Sequence, residues 1–308
     1  MAGQLWAVST QGQRLYSPLL TKEVAHAAQP KMKFVQFCQI KEEWGKNAGE
    51  TFLWDNYSNI DTQGGVLTET STIPMRSYQV YQGTATLQEY GNAIPWSRKY
   101  EDLAQAGNRR DPVRILSNDN AKVYDTAAEA QFDACKIRYV CTGSAAGAIT
   151  TNGTATYTAS CQLNTVHVKA IVDYMFQTMY CEPYDGEDYL AICSTDAKRG
   201  IYDDCEDIMQ YTKFPASGEF GRYYDCRFVK TNHGLSNTIG ASSAYGEAYF
   251  FGGGGGPVLR GIAVAMEIIP KEVTDFGRSK GLAWYGVEAY KIMHSGSPDN
   301  NIVKVCSA

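Results

Sequence analysis

Gly218-Glu-Phe-Gly-Arg-Tyr-Tyr-Asp-Cys-Arg-Phe-Val-Lys-Thr-Asn232 is the stretch from which the fold can be read. Gly218 and Gly221 supply turn geometry that residues with a Cβ reach only at a cost. Beyond them come bulky Tyr223, Tyr224, Cys226, Phe228 and Val229, with polar Asp225, Arg227 and Lys230 between. That pattern predicts a half-buried strand. Thr231, Asn232, His233 and Gly234 close it with turn chemistry.

Around this stretch, residues 163–251 read in the order helix, strand, helix, strand, strand. Val166, Ala170, Ile171, Tyr174, Met175 and Met179 make a helical stripe, Tyr189–Cys193 a buried strand, Asp203–Tyr211 a short helix and Ala248–Phe251 a further strand. The expectation is a compact α+β lobe. Gly252, Gly253, Gly254, Gly255 and Gly256 follow, then Pro257. No Gly-Lys-Ser/Thr closes a phosphate loop there, so the run reads as an inter-lobe hinge or tight connection. Residues 258–293 are strand-rich, and Asn301–Cys306 adds a terminal strand.

Toward the N-terminus, the clearest helix is expected over 117–141. Ala121, Tyr124, Ala128, Phe132, Cys135 and Tyr139 recur at spacings of three and four, with Asp125, Glu129, Lys136 and Arg138 mostly off the stripe. Residues 91–115 read as irregular, with Arg109-Arg110-Asp111 a solvated turn, and 142–162 as a Gly/Thr-rich loop or weak hairpin. Residues 51–90 read as a long β-hairpin with a polar tip at 58–74. Tyr78 and Val80 share one parity, Ala85 and Leu87 the other, and a bulge at Gly83 would reconcile them. Such a ribbon cannot bury both faces alone. Its aromatic strands therefore point to self-association, with Phe52, Trp54, Tyr57, Met75, Tyr78 and Val80 as inter-subunit contacts. Residues 1–50 read as an extended arm with a short helix over Leu19–Ala28.

At 308 residues the chain exceeds what one core comfortably serves, about 250–300 residues. A net charge of −5 argues against a protein that grips nucleic acid by its phosphates. Nine cysteines, odd in number and without C-x-x-C spacing, fit reduced thiols in a cytoplasm. No charged region followed by an apolar run opens the sequence, and no apolar run approaches a membrane span. His26, His167, His233 and His294 are dispersed, without metal-ligand spacing. The acidic pairs Glu187-Asp188, Asp203-Asp204 and Glu206-Asp207 fit solvated or helix-start positions better than an acid–base pair. No catalytic, metal or cofactor residues are assigned.

The pattern at 218–232 resembles the most recognisable block of a tailed-bacteriophage major capsid protein family, the one typified by the coat protein of coliphage N-four. Thr84-Ala-Thr-Leu-Gln-Glu-Tyr-Gly91 is similar to the return strand of that family's extended loop. The resemblance implies a tailed-phage major capsid fold of class α+β. Its parts would be an N-terminal arm (1–50), an extended β-hairpin loop (51–90), a peripheral domain carrying a spine helix (91–162), an axial domain (163–257) and a returning peripheral segment (258–308). It further implies self-assembly into hexamers and pentamers forming an icosahedral shell around double-stranded DNA, contained without sequence-specific binding. The implied partners are the chain itself, a separate scaffolding protein, a portal protein at one vertex and a cement or decoration protein, with no membrane. The implied location is the virion, after assembly in the host cytoplasm. Two other classes stay open on the residues alone. One is a cytoplasmic enzyme built from dispersed acids such as 203–207; the other is a tyrosine-rich binding module with 51–90 as its edge.

Overall fold

The computed structural model describes residues 32–41, 49–57, 64–69, 72–73, 75, 77–78, 80–103, 110–143, 147–154, 159–209, 219–233, 246–254, 256–272, 274–294 and 301–308. Most of the expected arm, including Leu19–Ala28, and much of the 58–74 tip lie outside these residues.

Among the described residues three sheets organise the chain. The four-stranded sheet has the order β1 (Cys38–Lys41), β11 (Val258–Pro270), β12 (Ser279–Ile292), β4 (Gln88–Ser97). A seven-stranded mixed sheet has the order β6 (Ala148–Thr150), β5 (Ile137–Val140), β13 (Ile302–Ser307), β10 (Gly246–Phe251), β7 (Tyr189–Cys193), β9 (Cys226–Lys230), β8 (Glu219–Tyr223). The third is a two-stranded ribbon of β2 (Thr51–Tyr57) and β3 (Val80–Thr86). Four helices accompany them among the described residues: α1 (Arg98–Leu103), α2 (Arg110–Asp133), α3 (Thr165–Gln177) and α4 (Thr195–Met209).

The central strands β13, β10 and β7 of the seven-stranded sheet are buried on both faces, as their near-continuous apolar sequences require. Ala191, Ala248, Phe250, Val303 and Val305 point to one core, completed by Val168, Ile171 and Met175 of α3 and by Ala197 and Ile201 of α4. The alternate residues Leu190, Ile192, Tyr249, Phe251 and Ile302 point to a second core, shared with Leu116, Tyr124, Ala128 and Phe132 of α2 and with Trp284 and Tyr290 of the four-stranded sheet. Helix α2 is thus a spine between the two large sheets. Its 24 residues span about 36 Å at 1.5 Å each.

The spine begins and ends earlier than the expected 117–141. Pro112 sits in its first turn, where a missing N–H leaves no bond unmade. The three-and-four spacing carries on through Cys135 and Tyr139, but Tyr139 lies on β5, where Ile137 and Tyr139 share a face by strand periodicity. Residues 91–115 are likewise more ordered than expected, holding the end of β4, α1 and the start of α2. Asp125 and Glu129 are buried, not off the packed face. Asp125 accepts the N–H groups of Phe34 and Val35 at 2.8 and 3.2 Å and faces His233 Nδ1 at 2.8 Å. One spine carboxylate therefore fastens both the entering segment and the end of the 218–233 stretch.

That stretch is a hairpin, not one strand. Tyr223 pairs with Cys226 across a two-residue turn in which Tyr224 and Asp225 both have positive φ, 46° and 53°. Such primed turns match the twist of the flanking strands and favour Asn or Gly. Of the short helix expected over 203–211, residues 203–209 form the end of the longer α4, and 210–211 lie outside the described residues. Strand β13 pairs with β10, and β5 with β13, so the seven-stranded sheet draws on Ile137–Val140, Ala148–Thr150 and Ile302–Ser307 as well as on strands within 163–257.

Candidate assembly surfaces

The β2–β3 ribbon pairs Phe52 with Ala85, Trp54 with Gly83 and Tyr57 with Val80. Its register is continuous, so the bulge expected at Gly83 is absent. Val80 and Ala85 therefore face opposite sides of the ribbon: Val80 is exposed, while Ala85 packs in one cluster with Leu87, beyond which the partner changes from β2 to β12. Gly83 has a different role. A Cβ there would lie 2.2 Å from the indole of Trp54, so only glycine lets that ring lie across the ribbon.

The six proposed contact residues divide into two groups. Phe52 is 5% exposed and packs with Ala85, Leu259 and Ala289. Trp54 stacks near it, ring centroids 5.3 Å apart, and its indole N–H donates to the Met293 carbonyl at 3.2 Å. Phe52 and Trp54 therefore anchor the ribbon on its own four-stranded sheet, which corrects their expected place on an intermolecular face. Tyr57, Met75, Tyr78 and Val80 are exposed, and the rings of Tyr57 and Tyr78 lie 6.0 Å apart. Leu53, Val66, Ile73 and Tyr81 extend this exposed apolar set and were not singled out from sequence. For Leu53 the signal was available: it stands between the two anchors and so faces the opposite way.

At the edge of the seven-stranded sheet, Asp188 is fully buried between two arginines. Arg222 donates from Nε and NH2 to Oδ1 at 2.9 and 2.8 Å. Arg227 donates from Nε to Oδ2 at 2.6 Å and from NH1 to Asp185 at 2.7 Å. Asp188 thus clamps the β8–β9 hairpin to the start of β7. Elsewhere, Asp204 accepts from the Thr165 N–H and hydroxyl, each at 3.1 Å, bracing the start of α3. His167 is buried, with Nδ1 2.9 Å from the Tyr139 hydroxyl and Nε2 3.2 Å from Cys161 Sγ, and burial holds it below its usual pKa. The side chains of Glu206 and Asp207 lie outside the described residues. Asp188 and Asp204 thus serve separate structural bonds. No group of three or more His, Cys, Asp and Glu side chains is placed to hold a metal among the described residues. Their eight described cysteines are free thiols.

The glycine run carries the chain from β10 in one large sheet to β11 in the other. A Cβ at Gly252 would meet the Glu182 carbonyl at 2.4 Å, and one at Gly256, where φ is +126°, would meet the Phe37 carbonyl at 2.3 Å. Gly255 lies outside the described residues. A second junction joins the end of α2 to the same sheet. Buried Lys304 bonds Asp133 and lies 3.7 Å from Glu247, and the Tyr249 hydroxyl lies 3.4 Å from both Glu129 and Asp133. Burial first, and the nearby Asp133 charge second, push Glu129 up to about 7.

Neither protein-family models nor curated proteins match this chain. Solved structures do. The capsid of Ralstonia phage GP4 superposes with a TM-score of 0.70 at 12% identity, over 95% of both chains. The capsid asymmetric unit of cyanophage Pam1 gives 0.71 at 12% identity, over 98% of both. The acid-stable capsid of Helicobacter pylori bacteriophage KHP30 gives 0.65 at 10% identity, over 100% of this chain and 99% of the other. The chain has the α+β fold of tailed-phage major capsid subunits over nearly its full length.

Proposed function

We propose that this chain is the repeating subunit of an icosahedral shell of tailed-phage type, closing as hexamers and pentamers around double-stranded DNA. The observation that carries the reading is the far end of the β2–β3 ribbon. There Tyr57, Met75, Tyr78 and Val80 are left uncovered, while Phe52 and Trp54 hold the base on the body. A ribbon so anchored presents apolar side chains outward, each worth about 1.5–3 kcal/mol when a neighbour buries it. The near-full-length likeness to capsid subunits supports the same reading. Modest contacts suffice, because a closed lattice repeats them.

In this reading the arm (1–50) and extended loop (51–90) bind neighbours, 91–162 and 258–308 form the peripheral domain, and 163–257 form the axial domain around capsomer axes. Gly252–Gly256 is the hinge between them. The net charge of −5 suits DNA that is contained and not gripped. A separate scaffolding protein, a portal protein and a cement protein are the further partners, and the finished product resides in the virion. As a shell subunit the chain does no catalysis. A finer placement with the N-four type rests on the 218–232 motif. Negative-stain microscopy of the particle fraction from expressing cells, with and without a candidate scaffolding protein, tests the whole reading. Shells, tubes or capsomer rings are expected. A uniform monomer or dimer under both conditions would overturn it.

A further inference from the structure

We propose that Cys161 is a covalent modification site, a thiol that exchanges with the disulfide of a small thiol of the glutathione class while His167 takes its proton. The site needs no assembly and stands apart from the shell reading.

Among the described cysteines, Cys161 is the one that is not buried. Its Sγ lies 3.2 Å from Nε2 of His167 and 3.2 Å from the Gly143 carbonyl oxygen. On the other side of the imidazole, Nδ1 lies 2.9 Å from the Tyr139 hydroxyl. Nucleophile, base and orienting group thus follow one another at hydrogen-bond distance, the arrangement that activates cysteine and serine nucleophiles. Each member is fixed from its own element. Tyr139 belongs to β5 and meets the imidazole edge to face, ring centroids 5.7 Å apart. His167 stands in the first turn of α3, where the Asn164 side chain accepts its N–H at 3.0 Å. The Cys161 backbone is pinned on both sides, its N–H donating to the Cys141 carbonyl at 3.4 Å and its carbonyl accepting from Ala308 at 2.9 Å.

Protonation decides how the thiol reacts. Burial raises the Cys161 thiol and lowers His167. At rest the two are therefore neutral, and His167 acts as a general base and not as a standing imidazolium. With the proton on Nδ1 donated to the Tyr139 oxygen, Nε2 turns its lone pair to the sulfur. In the step, Sγ attacks one sulfur of the disulfide while its proton passes to Nε2. The S–S bond of the reagent breaks, and the leaving thiolate takes that proton from the imidazolium. One thiol and one disulfide become one mixed disulfide and one thiol, so the reagent is the only oxidant required. The sulfur sits beside the first turn of α3, whose partial positive charge favours it as it becomes anionic. The bond is reversible: a reducing cytoplasm removes the adduct and an oxidising medium keeps it.

The test treats the reduced, folded full-length chain with glutathione disulfide and follows adducts at each cysteine by peptide mass mapping over time. Cys161 is expected to react roughly tenfold or more faster than any of the buried described cysteines. In urea that preference should vanish. His167→Gln, checked for folding by circular dichroism, should slow Cys161 roughly tenfold or more. Tyr139→Phe keeps the ring and removes the hydroxyl, and it carries the comparison if His167→Gln does not fold. It too should slow Cys161 while the rates at the buried cysteines stay the same, which a merely loosened fold would raise. A disulfide from Cys161 to another cysteine of the chain supports the site, because the mixed disulfide is its precursor. No adduct at Cys161 while the urea-treated chain reacts would overturn the site. So would equal Cys161 rates in the parent and the folded variants. Either result leaves the shell reading untouched.

Discussion

Arg227 closes on Asp188, with Nε 2.6 Å from Oδ2 of a carboxylate that has no exposed side-chain surface. Arg222 occupies the other oxygen. The two guanidiniums are about a third and a half exposed, so water can rehydrate them more easily than it could the buried acid. Asp188→Ala should therefore cost about 2–4 kcal/mol, toward the lower end for breaking a buried pair. Arg227→Lys keeps the charge but loses the fork, and should cost about 1–2 kcal/mol. Urea unfolding of the unassembled subunit measures both. Equal midpoints for Asp188→Ala and the parent would mean the clamp contributes nothing to stability.

Trp54 and Gly83 make a second dependent pair. Gly83→Ala places a Cβ inside the space of the indole, so the ring must lift and release its bond to the Met293 carbonyl. A loss of about 1–3 kcal/mol is expected, as for other overpacked sites. A red shift in tryptophan emission should accompany it. An unshifted spectrum with unchanged stability would show that the ring has room the packing denies.

Periodicity made much of this legible. Tyr189–Cys193 reads as a strand buried on both faces, and it is; the spine stripe at Tyr124, Ala128 and Phe132 is packed as its spacing requires. A hairpin also forms at 51–57 and 80–86 as expected, though without the bulge expected at Gly83. What escaped has physical reasons. The turn at Tyr224-Asp225 uses left-handed backbone without the Asn-Gly that normally announces it. The end of the spine is hidden because Cys135 and Tyr139 keep helical spacing by coincidence. Alternation separates Phe52 and Trp54 from Leu53, but only tertiary structure tells which face the body covers. The Asp188 clamp joins residues 34 and 39 positions apart, beyond the reach of any local pattern.

The outward residues of the ribbon should behave oppositely to the anchors. Tyr57→Ser with Tyr78→Ser removes surface that touches little of its own chain. Subunit stability should move by no more than about 0.5 kcal/mol. Assembly, followed by light scattering, should be severely reduced. Deleting 58–74 should act the same way, leaving a soluble subunit that does not form stable shells. Normal particles from both variants would remove the ribbon from the assembly mechanism.

Glu129 gives the joint between spine and sheet a defined pH dependence. Three carboxylates, Glu129, Asp133 and Glu247, surround one buried ammonium, Lys304, with the Tyr249 hydroxyl among them. Arg138 offsets part of the excess at Asp133, 3.6 Å away. Asp133 is held below its ordinary pKa despite burial, because Lys304 bonds it, so the surplus proton resides on Glu129. Glu129 titrates near 7 when folded, against an ordinary value of 4.5. Between those values the folded chain binds more protons than the unfolded one, so stability falls as pH rises through the window. Below about pH 4.5 both states are protonated and the penalty vanishes; above about 7 it is complete. Solvent at the half-exposed Asp133 side screens the cluster, which limits the full penalty to about 1–2 kcal/mol. Glu129→Gln keeps an acceptor for the Tyr249 hydroxyl and carries no charge. It should match the parent near pH 4.5 and exceed it by that amount at pH 8, in urea unfolding measured across the range. A constant difference between the two proteins at every pH would show that Glu129 does not titrate in this window.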